Sequence, residues 1–220
     1  MIVSDSKRFI FIHNPKCGGT SVRMSLMQFE TTANFFWMFD EFNNKKIDKA
    51  HLPLFLLRAK YPTYYDLLDR YFVFCFVRDP YSRTVSAFNE TIPNLLADLK
   101  DQDHEILYKQ KLNNFVTSLN SQTIMGWDIR YRHLVRQRDM IYISDKCAAD
   151  VVMKIEEWPS CLDRLDVFMP FLSATLRSSK VLNKRESIKK PLEYLSRESI
   201  RKINLLYKDD FALFGYEANL

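Results

Sequence analysis

Two apolar runs organise the chain. Phe9-Ile10-Phe11-Ile12 leads to His13, and Tyr71-Phe72-Val73-Phe74-Cys75-Phe76-Val77 carries no polar residue at all. Runs of this length without alternation fit strands covered on both faces, as in a parallel sheet. Each is followed by a helix-like pattern, Thr20 to Phe29 after the first and Pro80 to Asn89 after the second, with Pro80 suited to a first helical turn. Thr20 or Ser21 is the expected cap of the earlier helix. Further helices are expected over Asp48–Ala59, Asp103–Leu119, Arg130–Arg138, Trp158–Leu176 and Leu195–Tyr207, the last with Ile200, Ile203, Leu206 and Tyr207 on one face. Short strands are expected at Met140–Ile143 and Val151–Ile155. Residues 31–44 read as aromatic and irregular, and the aromatic tail Asp209–Tyr216 as docked on the body. Strands alternating with helices, without a repeat or linker, predict one α/β domain over residues 1–220 with a mainly parallel sheet.

Composition sharpens one loop. The chain has four glycines in 220 residues, against about 7% in average proteins. Two of them adjoin in Asn14-Pro15-Lys16-Cys17-Gly18-Gly19-Thr20-Ser21, between the first strand and its helix. Strand, glycine loop with a lysine, hydroxyls and helix is the layout of a phosphate cradle, in which N–H groups at a helix start face an anion. The nucleoside-triphosphate loop GxxxxGK[ST] sets its lysine after the last glycine. Here Lys16 precedes the pair, and no Walker-B Asp follows a later apolar strand. A plain strand–helix turn is the alternative reading.

A second anion site is expected at Arg78-Asp79-Pro80-Tyr81-Ser82-Arg83-Thr84-Val85-Ser86-Ala87-Phe88. Arg78 ends a buried strand, at the sheet edge where ligands of open α/β sheets gather. Ser86 lies three residues beyond Arg83, and a guanidinium with a hydroxyl binds phosphate oxygens. An Arg78–Asp79 pair capping the turn is the alternative. Two such sites imply a ligand with two separated phosphates.

Net charge is +5, which suits a small anionic ligand or acidic substrate without arguing for nucleic acid. Lys184-Arg185 with Lys189-Lys190 reads as a solvated face. Cys17, Cys75, Cys147 and Cys161 show neither CxxC spacing nor a histidine cluster, so neither zinc nor a disulfide framework is expected. No leader and no apolar stretch of membrane-spanning length appears. The expected location is the cytoplasm, with a membrane-associated or Golgi site only if the chain is part of a longer one.

Together the two segments resemble sulfotransferases. Pro15 to Ser21 is similar to their 5′-phosphosulfate loop PKxGGTS, and Arg78 to Phe88 to their 3′-phosphate motif RDPxxRxxSxF. Arg132-His133-Leu134-Val135-Arg136-Gln137 resembles the substrate-side segment, and Leu182-Asn183 and Asp209–Tyr216 the C-terminal pattern. The nearest branch is the carbohydrate sulfotransferases of the family-2 type, over Phe9 to Tyr216. The resemblance implies a P-loop-like three-layer α/β fold and the donor 3′-phosphoadenosine 5′-phosphosulfate (PAPS), released as 3′,5′-adenosine bisphosphate (PAP), with no metal. It implies donor binding by Lys16, Cys17, Gly18, Gly19, Thr20, Ser21, Arg78 and Ser86, with Arg83 as a donor contact or a helix brace. Lys16 would stabilise the leaving phosphate. His51 is the expected base, with His133 as rival, while His104 reads as solvent-facing. Arg132, His133 and Gln137 are the expected acceptor contacts. The cluster Arg130 to Arg138 suits a carboxylate or sulfate on an acidic saccharide; an exposed basic helix is the alternative. A small-molecule kinase and a non-catalytic nucleotide-binding module remain the competing functions.

Overall fold

In a computed structural model of the chain, the structure describes residues 1–91, 102–125, 129–178 and 190–220. The segment with Leu182-Asn183 and Lys184-Arg185, and Lys189, lie outside the described residues. The strands are β1 (Ile2–Ser4), β2 (Phe9–Ile12), β3 (Phe39–Phe42), β4 (Lys45–Asp48), β5 (Phe72–Val77), β6 (Tyr142–Ile143), β7 (Lys146–Cys147) and β8 (Val151–Lys154). The helices are α1 (Gly19–Leu26), α2 (Leu54–Lys60), α3 (Pro62–Asp66), α4 (Pro80–Thr91), α5 (Gln102–Ser118), α6 (Gln137–Ile141), α7 (Asp163–Asp166), α8 (Pro170–Ser178), α9 (Arg197–Leu206) and α10 (Lys208–Phe214).

The central sheet runs β1-β2-β5-β8. The pairs β2–β5 and β5–β8 are parallel, with Phe11 opposite Phe74 and Phe74 opposite Val151; β1 closes one edge antiparallel to β2. Side chains alternate across a strand, and here both faces are apolar. Ile10, Ile12, Val73, Cys75 and Val77 pack with Leu54, Leu56 and Leu57 of α2 and with Met140 and Ile141 of α6. Phe9, Phe11, Phe74, Phe76 and Met153 pack with Val22 and Leu26 of α1 and with Leu165, Leu172 and Leu176 of α7 and α8. Helices on both faces explain why the strand sequences are apolar without alternation. A third core, built from α4, α5, α9 and α10, holds Tyr81, Phe88, Tyr108, Ile203, Tyr207 and Phe211. The expected mainly parallel α/β arrangement is present, with the tail docked through Phe211 and Phe214.

Four local expectations are corrected. Residues 39–48 form a hairpin rather than an irregular run: Asn43 and Asn44, φ 49° and 58°, supply the left-handed turn that joins two twisted strands. The expected 48–59 helix begins only at Leu54, because Pro53 keeps Leu52 in extended backbone. The expected 158–176 helix is divided into 3₁₀ turns, α7 and α8, with Pro159 and Pro170 at the breaks. The basic stretch is a 3₁₀ turn, Ile129–Leu134, followed by α6, which runs through Met140 and Ile141 and leaves only Tyr142-Ile143 as strand.

Candidate active site

The carboxyl ends of β2 and β5 lie side by side, and the chain leaves each through one of the two motifs. After β2 the backbone turns left-handed at Lys16 (φ 65°) and again at Gly18 (φ 74°), the N-cap of α1. No side chain caps this helix, so neither Thr20 nor Ser21 does what was expected of it. The N–H groups of Gly19 and Thr20 have no acceptor among the described residues. An uncapped helix start carries partial positive charge and exposed donors, which is the basis of anion binding. Gly19 is required by contact rather than by dihedral: a Cβ there would sit 1.9 Å from Cδ2 and 2.2 Å from Nε2 of His13.

The Lys16 ammonium lies 3.2 Å from Glu90 of α4. Ser86, half-buried, stands one turn before Glu90 on the same helix, and residues four apart share a helix face. Arg78 donates through Nη1 to the Lys16 carbonyl at 3.2 Å, so the two motifs are in direct contact. Asp79 accepts from the Ser82 N–H at 2.8 Å and caps the turn into α4, while its own N–H is held by Glu156. Arg83 is wholly buried, donates to the Val135 carbonyl and lies 5.3 Å over the Tyr207 ring. From there it braces α4 and also acts electrostatically on Cys17 of the loop.

Gln137 has a different place from the one expected. Wholly buried, it accepts at Oε1 from the Arg78 N–H (2.8 Å), Asn14 Nδ2 (3.4 Å) and Cys17 Sγ (3.3 Å), and donates through Nε2 to the Arg78 carbonyl at 2.8 Å. One amide therefore ties the two motif loops together, and none of it is presented to an acceptor. Its N–H and that of Arg138 are held by Asp210 of α10 at 2.9 and 2.8 Å. Burial pushes the Cys17 thiol up to about 12, so it stays protonated and packs inward. Only the Cys17 backbone is left to line the loop.

Three histidines meet above the cradle. The His51 ring centre is 4.6 Å from that of His13 and 5.2 Å from that of His133. His51 Nδ1 lies 3.2 Å from the His13 carbonyl oxygen. That oxygen only accepts, so Nδ1 carries the hydrogen and Nε2 of neutral His51 keeps its lone pair. Desolvation lowers His51 and His133 each to about 3, and Lys16 contributes to both shifts. The rings are thus neutral at ordinary pH. Arg132 is paired with Asp48 at 3.2 Å, at the end of the β3–β4 hairpin. A narrow cleft lined by His51, Arg132, Asp48, Lys46 and Ile129 adjoins a cavity of about 860 Å³ lined by Lys45, Lys46, Gln122, Arg130 and Tyr131, among others.

No potential metal cluster of His, Cys, Asp or Glu occurs among the described residues, and no described helix is long and apolar enough to cross a membrane. Sequence reading had not singled out His13, Glu90 or Asp210 for the site. The position of His13 beside the glycine pair was a usable signal, whereas Glu90 and Asp210 reach the loops only through tertiary packing.

A cationic loop at an open helix start, faced by a neutral histidine with a bare ring nitrogen, suits an α/β protein that transfers an anionic group. The profile of the sulfotransferase family matches residues 1–217, and the chain belongs to that family, in the family-2 form that the motifs resemble. It is a PAPS-dependent sulfotransferase, a transferase, and its reaction takes a hydroxyl acceptor. No curated protein and no solved structure matches the chain.

Proposed function

We propose that this protein moves a sulfuryl group from PAPS to a carbohydrate hydroxyl on a P-loop-like α/β scaffold, with His51 as base. The observation that carries this reading is the open α1 start, with Lys16 beside it and His51 fixed in the Nδ1–H form above it. The residues fit the donor. The N–H groups of Gly19 and Thr20, with Lys16, receive its 5′ end, and Arg78 with Ser86 receives its 3′-phosphate. When bound, the donor supplies an activated sulfuryl group on a phosphate leaving group.

His51 Nε2 takes the proton of the acceptor hydroxyl as its oxygen bonds to sulfur. Lys16 and the loop N–H groups stabilise the charge that builds on the departing phosphate oxygen. An anion held beside Lys16 opposes that lysine's effect on His51 and raises its basicity. His133 and Arg132 contact the acceptor, and the neighbouring cations Lys46 and Arg130 favour one that carries an acidic group.

Thermal-shift titration with PAP tests the donor half, since a ligand that binds only the native state must raise its melting temperature. A shift is expected for the wild type and is expected to shrink sharply in Lys16→Ala and Arg78→Ala. No shift in the wild type would remove the reading. A glycan array with labelled donor then tests the acceptor class.

A further inference from the structure

The His13 ring takes no part in the step proposed for His51. The residue is 4% exposed. Its ring stacks on Trp37, with centres 5.7 Å apart and planes 4° apart, and on Phe11 at 6.0 Å. Neither ring nitrogen has a hydrogen-bond partner among the described residues, and Nδ1 is completely buried. Leaving a buried polar group unpaired costs stability, so an unpartnered histidine in a packed position calls for an explanation.

Its geometry supplies one. The Cδ2–Nε2 edge lies directly against Gly19, the first residue of α1 and the position where a side chain would collide with the ring. Nε2 therefore stands beside the same helix start whose N–H groups are open. Burial disfavours the charged ring, and His51, Arg23 and His133 reinforce that effect, so His13 is neutral. A neutral imidazole has one hydrogen. Placing it on Nδ1 would bury an unpaired donor, whereas placing it on Nε2 leaves only a bare acceptor there, the less costly arrangement. The hydrogen therefore belongs on Nε2, facing the helix start.

We infer that His13 is a catalytic residue, whose Nε2–H donates a hydrogen bond to a sulfuryl oxygen during transfer. The inference rests on the sulfotransferase reading and adds to it a division of labour between adjacent histidines. His51, held by the His13 carbonyl, accepts the acceptor proton at Nε2. His13, with its Nδ1 shut away, presents an N–H to the group being moved. No proton leaves His13: the acceptor oxygen–sulfur bond forms, the sulfur–phosphate oxygen bond breaks with its electron pair going to the phosphate, and the hydroxyl proton goes to His51.

The contact is to the sulfuryl group, which PAP lacks. His13→Phe keeps the stacked ring and removes the donor. It should lower kcat by roughly 100-fold, the loss expected for one preorganised donor, while PAP affinity measured by titration stays within about twofold. Undiminished kcat in His13→Phe overturns the inference. So does a parallel loss of PAP affinity, which marks a collapsed loop instead of a missing donor. Should His13→Phe not fold, ¹⁵N imidazole spectra of the wild type decide: Nε2–H at His13 supports the inference and Nδ1–H overturns it. Absence of PAP binding in the wild type is a different failure, that of the donor reading itself.

Discussion

The two sides of the site, donor and acceptor as proposed above, are built differently. On the donor side, backbone does the work: left-handed turns at Lys16 and Gly18, an open helix start, and loops tied together by one buried amide, Gln137. On the acceptor side, side chains do it: Arg132 paired with Asp48 on a hairpin end, and Lys46 and Arg130 beside a broad cavity. A backbone-built pocket has few tolerated substitutions, because its shape depends on buried partners. A pocket of half-exposed charges is open to change, because each pair there contributes little to stability. On the proposed assignment, the donor side is therefore the fixed part of the site and the acceptor side the adjustable one.

The sharpest way to break this contrast is chemical. His51→Ala should lower kcat by about 100- to 10,000-fold, the range for a lost general base. Turnover equal to wild type would remove His51 from the reaction. Next comes Gly19→Ala. The added methyl overlaps a ring packed between Trp37 and Phe11, so urea unfolding should show a loss of about 2–3 kcal/mol, together with lost PAP binding. Gln137→Ala is expected to cost a similar or smaller amount, about 2 kcal/mol, by leaving the Arg78 N–H and C=O unpaired. Wild-type stability in this variant would show that the amide does not hold the loops.

A smaller effect is expected from pH. His51 and His133 titrate near 3 in the folded protein against about 6.5 in an unfolded chain. Below 6.5 the unfolded state therefore binds more protons, and stability must fall as pH drops through the window from 6.5 toward 3. Both rings are half-buried, so the loss between pH 7 and 5.5 should be about 1 kcal/mol; a His51→Ala/His133→Ala variant should show a flatter pH dependence of its unfolding free energy. Smallest of all, Arg132→Ala should change stability by less than about 0.5 kcal/mol and act on KM for acidic acceptors alone. An equal rise in KM for neutral acceptors would count against charge recognition there.

The same contrast decides what could be read in the sequence. The strand runs, the glycine pair and the Arg78 corner were legible because each is a local pattern with a local cause. Gly18 needs a left-handed backbone and the β5 sequence needs cover on both faces, and neither need depends on distant residues. Gln137 was visible as a residue but not as a tie, because its partners lie at 14, 17 and 78. Likewise Glu90 meets Lys16, and Arg83 turns inward, only once α4 has packed. The Asn43-Asn44 turn was a local signal for the hairpin that the run of aromatics around it obscured.

Asp210 gives the site a schedule as well as a shape. It holds the N–H groups of Gln137 and Arg138 across 73 and 72 residues of chain, and Gln137 in turn reaches Cys17 across 120. The loop is synthesised well before the carboxylate that sets its amide tie. A growing chain thus carries the glycine loop long before it can fix it, and the tie forms only when α10 has been made and docked.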